Sequence, residues 1–113
     1  MAVKLGLDPE ALYKVVISGT GQTFAFQYFT PHILQGDFTK GYALVNAYKD
    51  MLSAAGISER KKIPLPVFHA ALQTYQTALS QGLGKESKGA MIKVWEKALG
   101  VEVRRKNSKL GKV

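Results

Sequence analysis

The sequence has no cysteine, which removes disulfides and thiolate metal sites from consideration. Its two histidines, His32 and His69, lie far apart in the chain, so no zinc cluster is expected and no metal site is assigned. Acidic residues are scarce, eight in all, and most stand beside turns or helix caps, so nothing points to paired-carboxylate chemistry. No apolar run approaches the roughly 20 residues a membrane helix needs. Met1-Ala2-Val3-Lys4 also lacks the apolar core of a secretory leader. The expected setting is cytoplasmic, without membrane contact. Two phosphate-binding motifs are missing as well. Gly19-Thr20-Gly21 is followed by Phe24 where a dinucleotide fingerprint places its third glycine, and Gly84-Lys85 by Glu86 rather than the Ser or Thr of a P-loop.

What the chain does have is positive charge, +8 over 113 residues, unevenly spread. Residues 1–92 hold nine Lys and Arg against six Asp and Glu, a net of +3, whereas residues 93–113 hold seven against two, a net of +5. A basic end of this kind reads as a solvated tail before it reads as a nucleic-acid surface, which is kept as a minor alternative. The length suits one domain with a modest core.

Periodicity indicates an all-α fold of about five helices, with a helical domain over residues 1–100 and a basic tail over 101–113. Asp8-Pro9-Glu10 is a helix start, with Asp8 as N-cap and Pro9 at the first helical position. Leu12, Val15 and Val16 supply that helix's expected buried face, and residues 18–21 end it. Residues 22–34 are the most aromatic stretch. Pro31 should interrupt a helix there, with Thr30 capping a second turn. Core packing explains the aromatics better than base stacking, because little positive charge is interleaved. Pro66 opens a later helix with Phe68, Leu72, Tyr75 and Leu79 on one face, which places His69 outward. In the next helix Met91, Val94, Trp95 and Ala98 form the apolar stripe, Ser87 is the candidate cap and Gly100 the stop. The tail is expected to pack loosely.

Residues 41–56 form the central element. Leu44, Val45, Tyr48, Met51, Leu52 and Ala55 make one apolar stripe, and Gly56 is the expected end. Tyr42, Asn46, Lys49 and Ser53 share the opposite face, with Asp50 beside them. Tyr42 and Lys49, two turns apart, would span about 10 Å of helix axis. Such a face meets either water or a ligand.

The order of short segments resembles the C-terminal domain of the β-hydroxyacid dehydrogenases, the family of 3-hydroxyisobutyrate dehydrogenase and 2-hydroxy-3-oxopropionate (tartronate semialdehyde) reductase. The resemblance covers about residues 5–93. It rests on Gly6-Leu7-Asp8-Pro9-Glu10, Gly36-Asp37-Phe38, Lys49-Asp50-Met51, Pro64-Leu65-Pro66, and Tyr75 followed by Gly82-Leu83-Gly84. It implies an all-helical domain like that of 6-phosphogluconate dehydrogenase-type enzymes, which closes the cleft beneath a nicotinamide-binding Rossmann domain and makes subunit contacts. By the same resemblance Lys49 and Asp50 bind the NAD or NADP cofactor and Tyr42, where the family usually has Phe, lies near a small 3-hydroxyacid or semialdehyde substrate. Ser87 and Gly89 stand where the family more often has Asp and Ser. The glycine-rich fingerprint and the catalytic lysine segment are absent from these residues. No catalytic residue is therefore assigned, and hydride transfer by this chain alone is not expected. The alternative is a stand-alone helical module for binding or self-association, in which case a homo-oligomer is expected from the apolar surface alone.

Overall fold

The computed structural model describes residues 1–106 and is all-α, with five α-helices, two 3₁₀ turns and, among the described residues, no strand. A 3₁₀ turn at Val3–Leu5 precedes α1 (Pro9–Ile17). Then come α2 (Phe24–Gln35), α3 (Leu44–Lys61), α4 (Pro66–Ser80), a second 3₁₀ turn at Lys88–Met91 and α5 (Ile92–Leu99). The proline-led starts read from sequence are observed. Asp8 accepts from the Ala11 amide at the head of α1, and Pro66 occupies the first turn of α4. Gly100 closes α5 in the left-handed conformation.

Two helix boundaries differ from expectation, each for an identifiable reason. Pro31 does not break α2, which starts instead from Thr23, whose hydroxyl accepts from the Phe26 amide. A proline at 31 withholds the amide that the Gln27 carbonyl would bind. The Tyr13 hydroxyl of α1 donates to that carbonyl instead, at 3.3 Å. Gly56 does not end α3 either. The helix runs five residues further and stops where Lys62 turns left-handed at φ +54°. The Ile63 amide then returns to the Ser58 carbonyl, and the buried Ser58 hydroxyl donates to the Ile63 carbonyl.

The core lies where α3, α4, α5 and the second 3₁₀ turn converge. Phe38, Leu44, Ala78, Ala90 and Val94 are buried there, with Leu44 entirely enclosed. Along α3 the buried positions are Leu44, Ala47, Ala55 and Ser58. Val45 and Leu52, expected in the stripe, lie at its margins and are exposed. Alanines on this face allow α4 to approach closely, and the Gln76 amide donates to the Tyr48 hydroxyl across the pair.

Two further expectations of burial are corrected. Leu12 and Val15 of α1 are exposed, the latter at 69%, and so is Trp95 of α5. Leu12 and Trp95 border an open apolar groove of about 590 Å³ between α1, α2 and α5, lined also by Phe26, Phe29 and Met91. Their helices point apolar groups outward because no other described element covers them. Residues 101–106 are irregular but not loose. Glu96, 9% exposed, accepts from the Val103 amide and the Arg104 guanidinium, and the Arg105 amide donates to the Leu34 carbonyl. The rest of the tail, 107–113, lies outside the described residues.

Candidate functional site

Tyr42 is not on the central helix. It sits in the turn before it, with Ala43 as N-cap, so the two-turn spacing to Lys49 along one helix does not hold. The turn is shaped by Gly41, at φ +95°, where a Cβ would come within 2.8 Å of the Phe29 ring and 3.0 Å of the Tyr28 ring. From this position the Tyr42 side chain reaches back along α3 and its hydroxyl donates to Asp50 Oδ2 at 2.8 Å. That bond holds the phenol proton and raises the Tyr42 pKa above its ordinary value, with partial desolvation and the nearby carboxylate charge adding in the same direction.

Sequence reasoning placed Asp50 and Tyr42 in one region but missed their direct bond, because a helical wheel cannot represent a residue outside the helix. Lys49 is exposed on α3 and, among the described residues, takes part in no ion pair. Its amine is thus available to an anionic group.

The neighbour that sequence reasoning overlooked is Lys88. Its backbone amide donates to the Tyr42 carbonyl at 2.8 Å. Its side-chain amine lies 5.5 Å from the centre of the Phe29 ring and 6.0 Å from that of Tyr42. The available signal was the departure at Ser87 and Gly89, which flank it. Gly89 is buried against Phe29 and Ile33, which fixes the backbone that carries Lys88.

The start of α3 is closed to ligands. The Leu44 amide donates to the Glu86 carbonyl and the Val45 amide to that of Gly84, while an isolated bridge pairs Ala43 with Ser87. Helix N-termini commonly bind anions through free amides, but here those amides are taken. The cations near this turn that form no ion pair among the described residues are the side chains of Lys49 and Lys88.

The remaining motif residues serve the fold. Gly36 caps α2, the Asp37 carboxylate accepts from the Thr39 amide and hydroxyl, and Phe38 is buried between the Lys93 and Arg104 cations. The Thr39 bonds hold the Asp37 pKa below the usual carboxylate value. His69 is half-buried, edge-on to Phe68 rather than pointing outward. Among the described residues no three His, Asp or Glu groups are placed to hold a metal. None of the helices described is long and apolar enough to cross a membrane.

Comparison with known proteins adds a lineage to this geometry. Residues 1–95 match the family profile described as NAD-binding of NADP-dependent 3-hydroxyisobutyrate dehydrogenase. The 2-(hydroxymethyl)glutarate dehydrogenase of Eubacterium barkeri is 34% identical over 104 residues, covering 91% of this chain and 35% of that protein. The L-threonate dehydrogenase of Cupriavidus necator is 35% identical over 95 residues, covering 84% of this chain and 32% of that one. Among solved structures, 3-hydroxyisobutyrate dehydrogenase from Salmonella typhimurium superposes with a TM-score of 0.79 at 30% identity, over 82% of this chain and 33% of that one. The chain thus spans about a third of the length of the relatives it matches.

Proposed function

This chain belongs to the family of the NAD-binding helical region of NADP-dependent 3-hydroxyisobutyrate dehydrogenase, and on that premise we propose that it is the cleft-closing domain of an NAD(P)-dependent 3-hydroxyacid dehydrogenase. In this reading Lys49 and Asp50 face the cofactor and Tyr42 faces the small hydroxyacid or semialdehyde. The cofactor, when bound, supplies the hydride acceptor or donor. The chain's residues supply positioning and charge. The observation that carries the proposal is the Tyr42–Asp50 hydrogen bond, which joins the turn before α3 to the helix beside Lys49, a lysine without an ion pair among the described residues, while the first amides of α3 are already satisfied. A mobile ammonium of this kind suits a phosphate or carboxylate, so the residues present fit a nicotinamide dinucleotide.

The open apolar groove supports the same reading, because exposed apolar area of this extent normally meets another surface. It also favours the second reading, a helical module that self-associates through α1 and α2 without catalysis. A basic nucleic-acid surface is less well supported. Lys93, Arg104 and Arg105 are paired with Glu86, Glu96 and Glu10, which takes three cations of the basic end out of a phosphate-reading patch.

The deciding experiment grafts this chain in place of the matching third of the Cupriavidus necator relative. The graft is expected to reduce or oxidise the nicotinamide cofactor with that relative's own substrate, and Lys49→Ala is expected to raise its cofactor KM about tenfold, the loss of one charge-assisted bond. The 113-residue chain alone should show no turnover. A folded graft that binds no nicotinamide nucleotide would overturn the domain reading. Light scattering of the chain alone addresses the second reading, for which a monomer at high concentration is the adverse result.

A further inference from the structure

The start of α3 is not held by its own residues. Ala43 at the N-cap has no side chain that could accept from the first turn, so the leading amides are satisfied from elsewhere in the chain. They are taken by the loop 84–88. Its Gly84 and Glu86 carbonyls accept from the Val45 and Leu44 amides, and its Lys88 amide donates to the Tyr42 carbonyl. Whatever fixes this loop therefore fixes the turn that carries Tyr42. Two contacts do so. The Ser87 amide donates to the Phe38 carbonyl at 2.9 Å, and the Glu86 carboxylate pairs with Lys93 of α5. The Phe38 ring in turn meets two cations, the Lys93 amine 4.2 Å from its centre and the Arg104 guanidinium 5.0 Å from it. Arg104 is itself held. Glu96 of α5, nearly buried, accepts from its guanidinium at 2.7 Å and from the Val103 amide at 2.6 Å. Gly36 leaves room for this arrangement, since a Cβ there would stand 3.2 Å from Arg104 Nε.

We propose that residues 101–106 form a strap that positions the Tyr42 turn, with Arg104 as the residue through which it acts. Locked by Glu96, Arg104 packs on Phe38, Phe38 holds Ser87, and the loop 84–88 holds Tyr42 and the first amides of α3. Arg104 and Glu96 are positioning residues and touch no ligand in this role. The strap lies outside residues 1–95, which carry the family match, so nothing in that match implies it. This coupling goes beyond the cofactor reading and stands without it, because it concerns only where the Tyr42 turn sits. The Glu96–Arg104 pair suits such a lock. Bonds to an ionised carboxylate are short and strong, and separating this pair would leave a desolvated charge on α5.

The test combines amide hydrogen exchange with an NMR titration of the tyrosine rings, both on the 113-residue chain. Arg104→Ala is expected to speed exchange of the Ser87 and Lys88 amides about tenfold, the loss of one cation–π contact opening the loop. Amides in the middle of α4 should keep their protection. The Tyr42 midpoint, raised chiefly by its bond to Asp50, should fall towards the ordinary phenol value as the turn loosens. The Tyr75 midpoint, raised by burial, should stay where it is. Arg104→Lys keeps a cation for Phe38 and Glu96 and should restore most of both readouts. Glu96→Gln keeps an acceptor for the Val103 amide but removes the charge that holds Arg104, and should give an intermediate effect. Leu72→Ala, at a buried position of α4, controls for general destabilisation and should raise exchange throughout α4 without a selective fall at Tyr42. Unchanged exchange at Ser87 and Lys88 in Arg104→Ala, an equal rise across all helices, or no rescue by Arg104→Lys would each overturn the proposal. None of these readouts needs a ligand. A graft that binds no nicotinamide nucleotide removes the cofactor reading and leaves the strap, whereas a flat result here removes the strap and leaves that reading.

Discussion

The two ends of this domain solve the burial problem differently. At one end α3, α4, α5 and the second 3₁₀ turn enclose Leu44, Ala78 and Ala90 completely, so the helices find their apolar partners within the chain. At the other, α1 and α2 touch each other but leave Val15, Phe24 and Tyr28 exposed, and Leu12 exposed at the edge of the groove. Apolar residues recur at helical spacing in both places. The difference shows that a stripe identifies which face of a helix wants cover, not whether cover is supplied by the same polypeptide. The candidate site lies between these regimes, with Tyr42 anchored at the head of α3 and Lys88 reaching towards the aromatic end.

The contrast can be broken most severely at the closed end. Leu44→Ala deletes the one large side chain that is fully enclosed and should destabilise the fold by about 2–5 kcal/mol, measured by urea unfolding. Gly41→Ala acts at the junction, where a Cβ meets the Phe29 and Tyr28 rings and the backbone is left-handed. Strain and overpacking together should amount to roughly 2–3 kcal/mol, with loss of the Tyr42–Asp50 bond visible as an earlier tyrosine titration.

A smaller effect comes from alkali and samples both regions. The pKa of Tyr75 is raised by burial and that of Tyr42 chiefly by its bond to Asp50, so each contributes stability that is fully present below the ordinary phenol value near 10. That stability is lost as pH rises through the higher folded-state values. Absorbance near the tyrosinate band should show two late-titrating phenols, and the thermal midpoint should fall over the same range. Least of all, Val15→Ser at the open end should change unfolding free energy by no more than about 0.5 kcal/mol. A loss comparable to that of Leu44→Ala would erase the distinction between the two ends.

Much of the fold was legible because its signals are local. Proline at the first turn of α1 and α4, the Asp8 cap and the Gly100 stop all act within a few residues of where they appear. The errors came from interactions that sequence spacing does not encode. The carbonyl that Pro31 leaves free is met by a hydroxyl on a different helix, and α3 ends at a lysine in a conformation usually left to glycine. At the site, the residues Tyr42, Lys49 and Asp50 could be nominated from the sequence, but their arrangement could not. Tyr42 left the helix on which it had been counted, and Lys88 arrived from 46 positions downstream through a loop whose carbonyls occupy the first amides of α3.

The Tyr13 hydroxyl has a consequence for how this sequence can drift. While Pro31 is present, replacing Tyr13 by Phe takes away the Gln27 carbonyl's partner on α1 and leaves it to solvent. Once residue 31 regains an amide, the same replacement becomes nearly silent. The order in which the two positions change therefore matters. Shedding the proline first and the phenol afterwards is expected to be the smoother path, so the two substitutions should be non-additive, with Tyr13→Phe costing more beside Pro31 than without it.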